Sequence, residues 1–530
     1  MELLTLLGFC AFLFFFGLGD FGLVGADEPR YAQVAREMLA RKDWITPVLY
    51  GAPWLEKPIL YYWEAMIAFK LFGVSDWAAR LPGAISATVM VGAVYLFFRR
   101  FRSGLQLDAA LITASSVAII GFARGASTDM PLTAAFVTAM LGWLGWHKSG
   151  SRTCLASFYI FLALATLAKG PVAILLSGLI IIVFAFFARK PRLVFATLWG
   201  PGLVLFLGLT LPWYIAVQLR NPDFVRIFIF QNNFARFGTN LYHHAQPFWY
   251  FLPVVLLGLL PWTLSVLAAF IDAVRGVRIE QTSLGEEETD LFFMIWTAVP
   301  ILFFSMSFSK LPGYVLPTIP GATMLLASYL GRRVNISGQS PLGWTVLHSA
   351  SAASVLAPAL LVQYLVLNHP VPPAARLIAL ATSAVAFVAI FLTLRFRGFR
   401  SLRFVTLVPI ILGVAIIVRL GSPAIDRALS ARPLANELEA IESRRLALGI
   451  YHVPRQTESG LVFYRNQPVS SYDRGQIPAG EHLLVAKRGS ESELSHLLPG
   501  RRLSRLGALE EQRLDYFWVA AVGAAHQHGR

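Results

Sequence analysis

A chain of 530 residues that is 56% hydrophobic and only 14% charged is not an ordinary soluble protein, in which charged residues make up about a quarter. Its net charge of +15 would suit a nucleic-acid binder, but the cations lie mostly in short loops between apolar runs, where they set orientation and meet anionic lipid. Cys10 and Cys154 both fall in apolar runs, which excludes a disulfide framework.

Apolar segments near 3–24, 83–98, 107–123, 131–147, 155–168, 172–188, 195–218, 248–271, 290–308, 312–330, 343–367, 373–394 and 404–420 predict thirteen spans. With the N-terminus in the cytoplasm, the inner loops carry Arg99 to Arg102, Lys148 to Arg152, Arg189 to Arg192, Arg275 to Arg278, Arg332 and Arg333, and Arg395 to Arg403. All are basic, whereas cations on the outer connections are few and single. The alternation supports the count and places the chain after Leu420 outside. The first span offers Glu2 and no Lys or Arg, so Val24-Gly25-Ala26 is read as part of an uncleaved span. Gly17-Leu18-Gly19-Asp20-Phe21-Gly22 matches a dinucleotide fingerprint but lacks the strand and crossover that give it meaning. No Walker A sequence occurs, and nothing binds a nucleotide.

From Asp27 to Arg80 runs a long charged segment, the first outer loop. Charge kept beside lipid-spanning helices is there for chemistry or binding. Pro29 fits the first turn of a helix with Asp27 or Glu28 as its cap, and Tyr31, Val34, Ala35, Met38 and Leu39 follow at helical spacing. Ile59 to Phe72 is apolar and aromatic apart from Glu64 and Lys70, and is short of the roughly 20 residues that span a bilayer. Both helices are expected to lie along the membrane surface and to hold the Gly51 to Pro58 turn between them.

The next outer connection, Arg124 to Pro131, contains Asp129, which can cap the following helix and still face a cavity. Lys169-Gly170-Pro171 sets a lysine beside a break. It can snorkel to headgroups or bind an anion, and a helix starting after Pro171 would add outward N–H groups. The loop from Arg220 to Pro247 holds Arg226, Arg236, His243 and His244; adjacent histidines do not face one way, so at most one is a ligand. Ser309 to Tyr314 pairs a cation, Lys310, with an aromatic ring.

After Leu420 the composition becomes soluble. A helix is predicted over Ala435 to Leu446, and strands over Leu448 to Val453, Leu461 to Tyr464 and His482 to Ala486. Ser490 to Glu493 reads as a capping box opening a short helix that ends at Pro499-Gly500, followed by an apolar run from Leu514 to Val522. The division is a membrane domain over 1–420, with its first outer loop at 26–82, and a small α/β domain over 421–530 that shows no catalytic constellation.

The outer face gathers Asp27, Glu28, Glu56 and Asp129 with Arg30, Lys57, Lys169 and Lys310. Outside the cytoplasm neither ATP nor nucleotide sugars are available, so an energised donor has to arrive as a lipid phosphate. Glycosidases need two carboxyl groups because one must protonate a poor leaving oxygen. A phosphate leaves as a stable anion and needs only cations, which leaves one carboxylate to take the proton of the attacking hydroxyl. Asp27 fits the base, and Arg30, Lys57 and Lys169 fit the phosphate. Clustering at one face favours an enzyme over a transporter or flippase of a lipid-linked sugar, which would carry polar groups near mid-membrane.

Asp-Glu-Pro-Arg-Tyr after the first span, Glu-Lys-Pro, Trp-Ala-Ala-Arg-Leu-Pro, Lys-Gly-Pro and Lys-Leu-Pro-Gly-Tyr-Val-Leu-Pro together resemble the bacterial aminoarabinose transferase family, in the dolichyl-phosphate-mannose-protein mannosyltransferase-like branch of the GT-C glycosyltransferases. The resemblance implies a polytopic α-helical GT-C fold with about thirteen spans, amphipathic surface helices and a C-terminal α/β periplasmic domain, in a bacterial inner membrane. It implies an inverting transfer from an undecaprenyl-phosphate sugar to a lipid A-type glycolipid, a glycan or, as in protein O-mannosyltransferases, a protein. It assigns Asp27 to catalysis and Lys169 to the donor phosphate, and the reading of the outer residues adds Asp129 to the catalytic set and Arg30, Lys57, Lys310 and Tyr314 to donor phosphate or substrate. The resemblance also makes room for a divalent metal (zinc, magnesium or manganese) at Glu56 with His243 or His244.

Overall fold

The structure, a computed structural model, describes residues 1–235, 246–279, 286–336 and 341–521. Each predicted apolar segment has a helical counterpart. Among the described residues six helices are long and apolar enough to cross a membrane unaided, and eight if each of two bent pairs is one span. One bend, of 65°, separates helix α5 (Gln106–Ala114) from helix α6 (Val117–Ala123). There the hydroxyls of Ser115 and Ser116 donate to the carbonyls of Leu111 and Ile112 at 2.6 and 3.1 Å, competing with the helical ladder. The other, of 113°, lies between Phe248–Gly258 and Thr263–Arg275, where Pro261 has no N–H to continue a helix.

The first loop is built as two helices and a hairpin. Helix α1 (Glu2–Cys10) passes into a π-turn at Ala11–Phe15, and helix α2 spans Asp27–Arg41. It buries Tyr31, Val34, Ala35 and Met38, and ends on left-handed Lys42, whose N–H returns to Leu39 and Met38. Strands β1 (Val48–Leu49) and β2 (Ala52–Pro53) pair antiparallel around Tyr50 and Gly51, at φ 53° and 82°, the positive values a tight hairpin requires. Glu37 fixes that turn by accepting both N–H groups at 3.0 Å. Helix α3 (Leu60–Phe72) packs against α2 and against helix α4 (Asp76–Phe101), leaving Ile67, Leu71 and Phe72 exposed.

The predicted cap of α2 is corrected. Ala26 holds the cap position, while the Glu28 carboxylate accepts the N–H of Val24 at 2.8 Å, that of Ala126 at 2.9 Å, and the buried guanidinium of Arg80 at 2.8 Å. Arg80 and Ala126, distant in sequence, draw the carboxylate away from the helix end because it is 12% exposed and a buried charge needs a charged partner.

In the tail, strands β3 (Ala447–Tyr451), β4 (Val469–Ser471), β5 (His482–Lys487), β6 (Leu503–Leu509) and β7 (Leu514–Val519) form one sheet in the order β4-β3-β5-β7-β6. β3 is parallel to β4 and β5, while β7 is antiparallel to β5 and β6. Leu461 to Tyr464 is not a strand: it lies in the helix Arg455–Arg465, the crossover that two parallel strands need. After a short helix at Ser422–Leu429, the helix predicted over Ala435 to Leu446 lies at Arg432–Ile441, earlier than predicted, because β3 begins at Ala447. The capping box does not form. Ser490 stands at the cap of Glu491–Leu497 without a side-chain bond, and Glu493 instead accepts the Tyr451 hydroxyl at 2.9 Å. Short, weakly patterned β4 and β6 escaped the sequence reading, and Val522 lies outside the described residues.

Candidate active site

Helices α7 (Asp129–Ser149) and α8 (Arg152–Lys169) form a hairpin, and helix α9 (Val172–Phe187) follows the break at Gly170 and Pro171. The start of α7 thereby meets the end of α8, and the Lys169 ammonium donates to the Asp129 carboxylate. Asp129 therefore does not cap α7, whose cap residue is Thr128. The same ammonium lies 5.2 Å from the centre of the Tyr314 ring, within cation–π range. Gly313 makes this approach possible, since a Cβ there would fall 2.7 Å from Asp129 Oδ1.

Lys169 lines a cavity of about 590 Å³. Its walls are mainly apolar, from Leu132 and Phe136 of α7, Val172, Leu175 and Leu176 of α9, and Phe303 and Phe304. Polar lining comes from Glu56, Lys57, Lys169, Ser307 and Tyr314, joined by Asn232 and Asn233. The two asparagines, whose amides donate to the carbonyls of Ile227 and Phe228 at 3.0 and 2.7 Å, were missed in the sequence. Their only signal was adjacency in the long loop. Glu56 and Lys57 arrive from the β1–β2 hairpin, so Glu37 at its turn contributes to their placement.

Asp27 and Arg30, one turn apart at the start of α2, form an ion pair. The Arg30 guanidinium lies 5.0 Å from the Trp54 ring and 5.5 Å from Tyr31. Burial opposes its charge, but Tyr31, Asp27 and Glu56 outweigh that and raise its pKa. The Asp27 side chain remains 56% exposed. Tyr31 is buried, and burial together with the charges of Asp27 and Asp129 holds its hydroxyl protonated. Lys310 is spoken for elsewhere: its ammonium donates to the carbonyls of Ser307 and, at 3.0 Å, Gln246. It ties the turn that carries Tyr314 and is not among the cavity residues. His243 and His244 lie outside the described residues. Glu56 is in no group of three metal-ligating side chains among the described residues.

The arrangement suits a molecule with a long apolar part and an anionic head: apolar walls for one, Lys57 and Lys169 for the other. Residues 56–215 match the family described as dolichyl-phosphate-mannose-protein mannosyltransferase. The chain is 34% identical over 323 residues to an undecaprenyl phosphate-alpha-4-amino-4-deoxy-L-arabinose arabinosyl transferase of Edwardsiella ictaluri, covering 59% of this chain and 56% of that one. It is 28% identical over 432 residues to the like-named protein of Erwinia tasmaniensis, covering 79% and 75%. Its fold superposes with a TM-score of 0.80 on the crystal structure of ArnT from Cupriavidus metallidurans bound to undecaprenyl phosphate, at 24% identity over 99% of both chains.

The chain is similar in sequence to the aminoarabinose transferases and shares the fold of ArnT. The resemblance carried by the short motifs is thus met along the whole fold, and the expected GT-C architecture with a small C-terminal sheet domain is present. The aligned part spans little more than half of the Edwardsiella relative's length.

Proposed function

We propose that the chain is a polyprenyl-phosphate-dependent glycosyltransferase, which moves a sugar from an undecaprenyl-phosphate carrier to an acceptor oxygen at the periplasmic face of the inner membrane. The observation that carries the proposal is the mainly apolar cavity lined by both Lys57 and Lys169, with Asp129 on the latter. An isoprenoid chain fits the walls, and its phosphate takes the lysines. In the reaction the acceptor oxygen attacks the anomeric carbon, the bond from that carbon to the phosphate oxygen breaks, and the carrier leaves as the free phosphate. Attack from the opposite face inverts the centre. Asp27 takes the acceptor's proton, its exposure leaving it open to an arriving hydroxyl. Lys169, Lys57 and Arg30 hold the leaving anion, Asp129 aligns Lys169, and Lys310 braces Tyr314. The names of the relatives point to an amino-arabinose donor; the acceptor expected from the motifs is a lipid A-type glycolipid, a glycan or a protein.

For a metal, Glu56 supplies one oxygen ligand and a loop histidine would supply the next. The described residues do not complete a donor set. The test of the proposal is transfer of labelled sugar from undecaprenyl-phosphate donors by purified protein, with lipid A, glycan and peptide acceptors compared. Donor consumption with product is expected; transport of the donor without transfer would overturn it.

A further inference from the structure

The segment that delivers Asp27 has almost no structure of its own. After the π-turn at Ala11–Phe15 the chain has no ladder until α2 begins at Asp27, apart from one bridge at Val24. Its carbonyls are gathered by three arginines. Arg124 donates to Leu13 and Gly17, both at 3.1 Å. Fully buried Arg80 donates to Leu18, Phe21 and Gly22 at 3.0, 2.8 and 2.8 Å. The two carbonyls between Leu18 and Phe21, those of Gly19 and Asp20, take Arg432 at 3.2 and 3.0 Å. Arg124 and Arg80 belong to the membrane domain, but Arg432 belongs to the tail.

The tail also takes the N–H groups of this segment. Asp426 accepts from Gly22 at 2.9 Å, and the Tyr464 hydroxyl accepts from Leu23 at 2.6 Å while donating to Asp76 at 2.7 Å. Asp76 pairs in turn with Arg432 at 2.9 Å. Val24 forms its bridge with Ser430 of the tail. The approach is close enough to need glycine at 22, where a Cβ would fall 2.3 Å from Ser430 Oγ and 2.6 Å from the Tyr464 hydroxyl. From Gly19 to Val24 every residue is therefore held from one side by the tail, from the other by Arg80 and Glu28, or by both. Asp27 is three residues further on.

We infer that Arg432 and Tyr464 are positioning residues for Asp27, so that the C-terminal domain is a working part of the transferase and not an appended module. The inference rests on the proposed role of Asp27. Neither side chain meets the cavity, and both act through the backbone of 19–24 and through Asp76. Displacement of a reacting group by about 1 Å can cost roughly a hundredfold in rate, so loosening this segment is expected to lower turnover and leave donor binding alone.

The experiment uses the full-length protein with Tyr464→Phe and Arg432→Lys, each alone and with Asp27→Asn. Expected is a fall in kcat of about ten- to a hundredfold, with the KM for the lipid donor unchanged. Amide exchange should quicken over residues 17–26 and not across the tail sheet. In the Asp27→Asn background the further loss should vanish, because a misplaced group that no longer takes a proton costs nothing more. Unchanged kcat in both variants, or losses that multiply fully with that of Asp27→Asn, would overturn the inference. Faster exchange throughout the tail would show unfolding of that domain, and would also count against it. An active Asp27→Asn protein would instead sink the reading of Asp27, which separates the two failures.

Discussion

Asp27 and Asp129 are both carboxylates at the starts of helices α2 and α7, and their neighbours differ. Asp129 is 19% exposed and paired with Lys169, whereas Asp27 is 56% exposed beside Arg30. Asp27→Asn keeps size and removes the proton acceptor, and is expected to lower kcat by about 10²- to 10⁴-fold with the protein folded. Sugar transfer near the parental rate would refute the role. Lys169→Ala should weaken donor saturation by roughly 1.5 to 3 kcal/mol, the worth of a charge-assisted contact. It also leaves Asp129 unpaired, so its thermal midpoint should drop. Adding Asp129→Asn should restore the midpoint and leave donor saturation poor. Recovery of both together would mean that Lys169 serves only Asp129.

Helix α3 carries an acid on a mostly apolar helix. Glu64 Oε2 is buried without a hydrogen-bond partner, and burial pushes the carboxyl up to about 8 from its ordinary 4.5. The folded state thus keeps a proton that the unfolded chain has lost, so stability declines as pH rises from about 4.5 through about 8. Glu64→Gln removes that dependence. Its thermal midpoint should exceed the parent's at pH 9 by clearly more than at pH 5; equal differences at the two values would show that Glu64 is solvated. On α4, fully buried Arg80 belongs to an ion pair of the opposite kind, matched by Glu28. Arg80→Met leaves Glu28 with two N–H donors but no cation, and removal of one partner of a buried pair costs about 3 to 5 kcal/mol. The variant should fail to accumulate or melt far below the parent in detergent, and a midpoint close to the parental one would refute this account of the Trp-Ala-Ala-Arg motif.

At the scale of the molecule, the membrane bundle and the tail are joined through Asp76, Arg432 and Tyr464, and the cavity sits where α7, α8 and α9 meet the first loop. The alternation of basic loops predicts that the tail lies in the periplasm. A reporter fused after Ser422 should be active only if it requires export, and activity of a cytoplasmic reporter there would overturn the orientation.

The sequence by itself determined the class, the apolar segments and the residues around the site. Apolar run length, the sign of loop charge, and Pro and Gly at turns are local signals, and they sufficed for α2, α3 and the break at Lys169-Gly170-Pro171. Glu56, Lys57, Lys169 and Tyr314 were all singled out there and do line one cavity. Only the tertiary structure decided what each polar group binds. Asp129 and Glu28 could satisfy local caps, and instead take Lys169 and Arg80 from 40 and 52 residues away. Lys310 could face an anion, and takes carbonyls. Leu461 to Tyr464 could be a strand by pattern, and is the crossover helix of a parallel pair. In each case a buried polar group or an apolar face has more than one partner chemistry would accept. Proximity in the folded chain, which no local pattern encodes, selects among them.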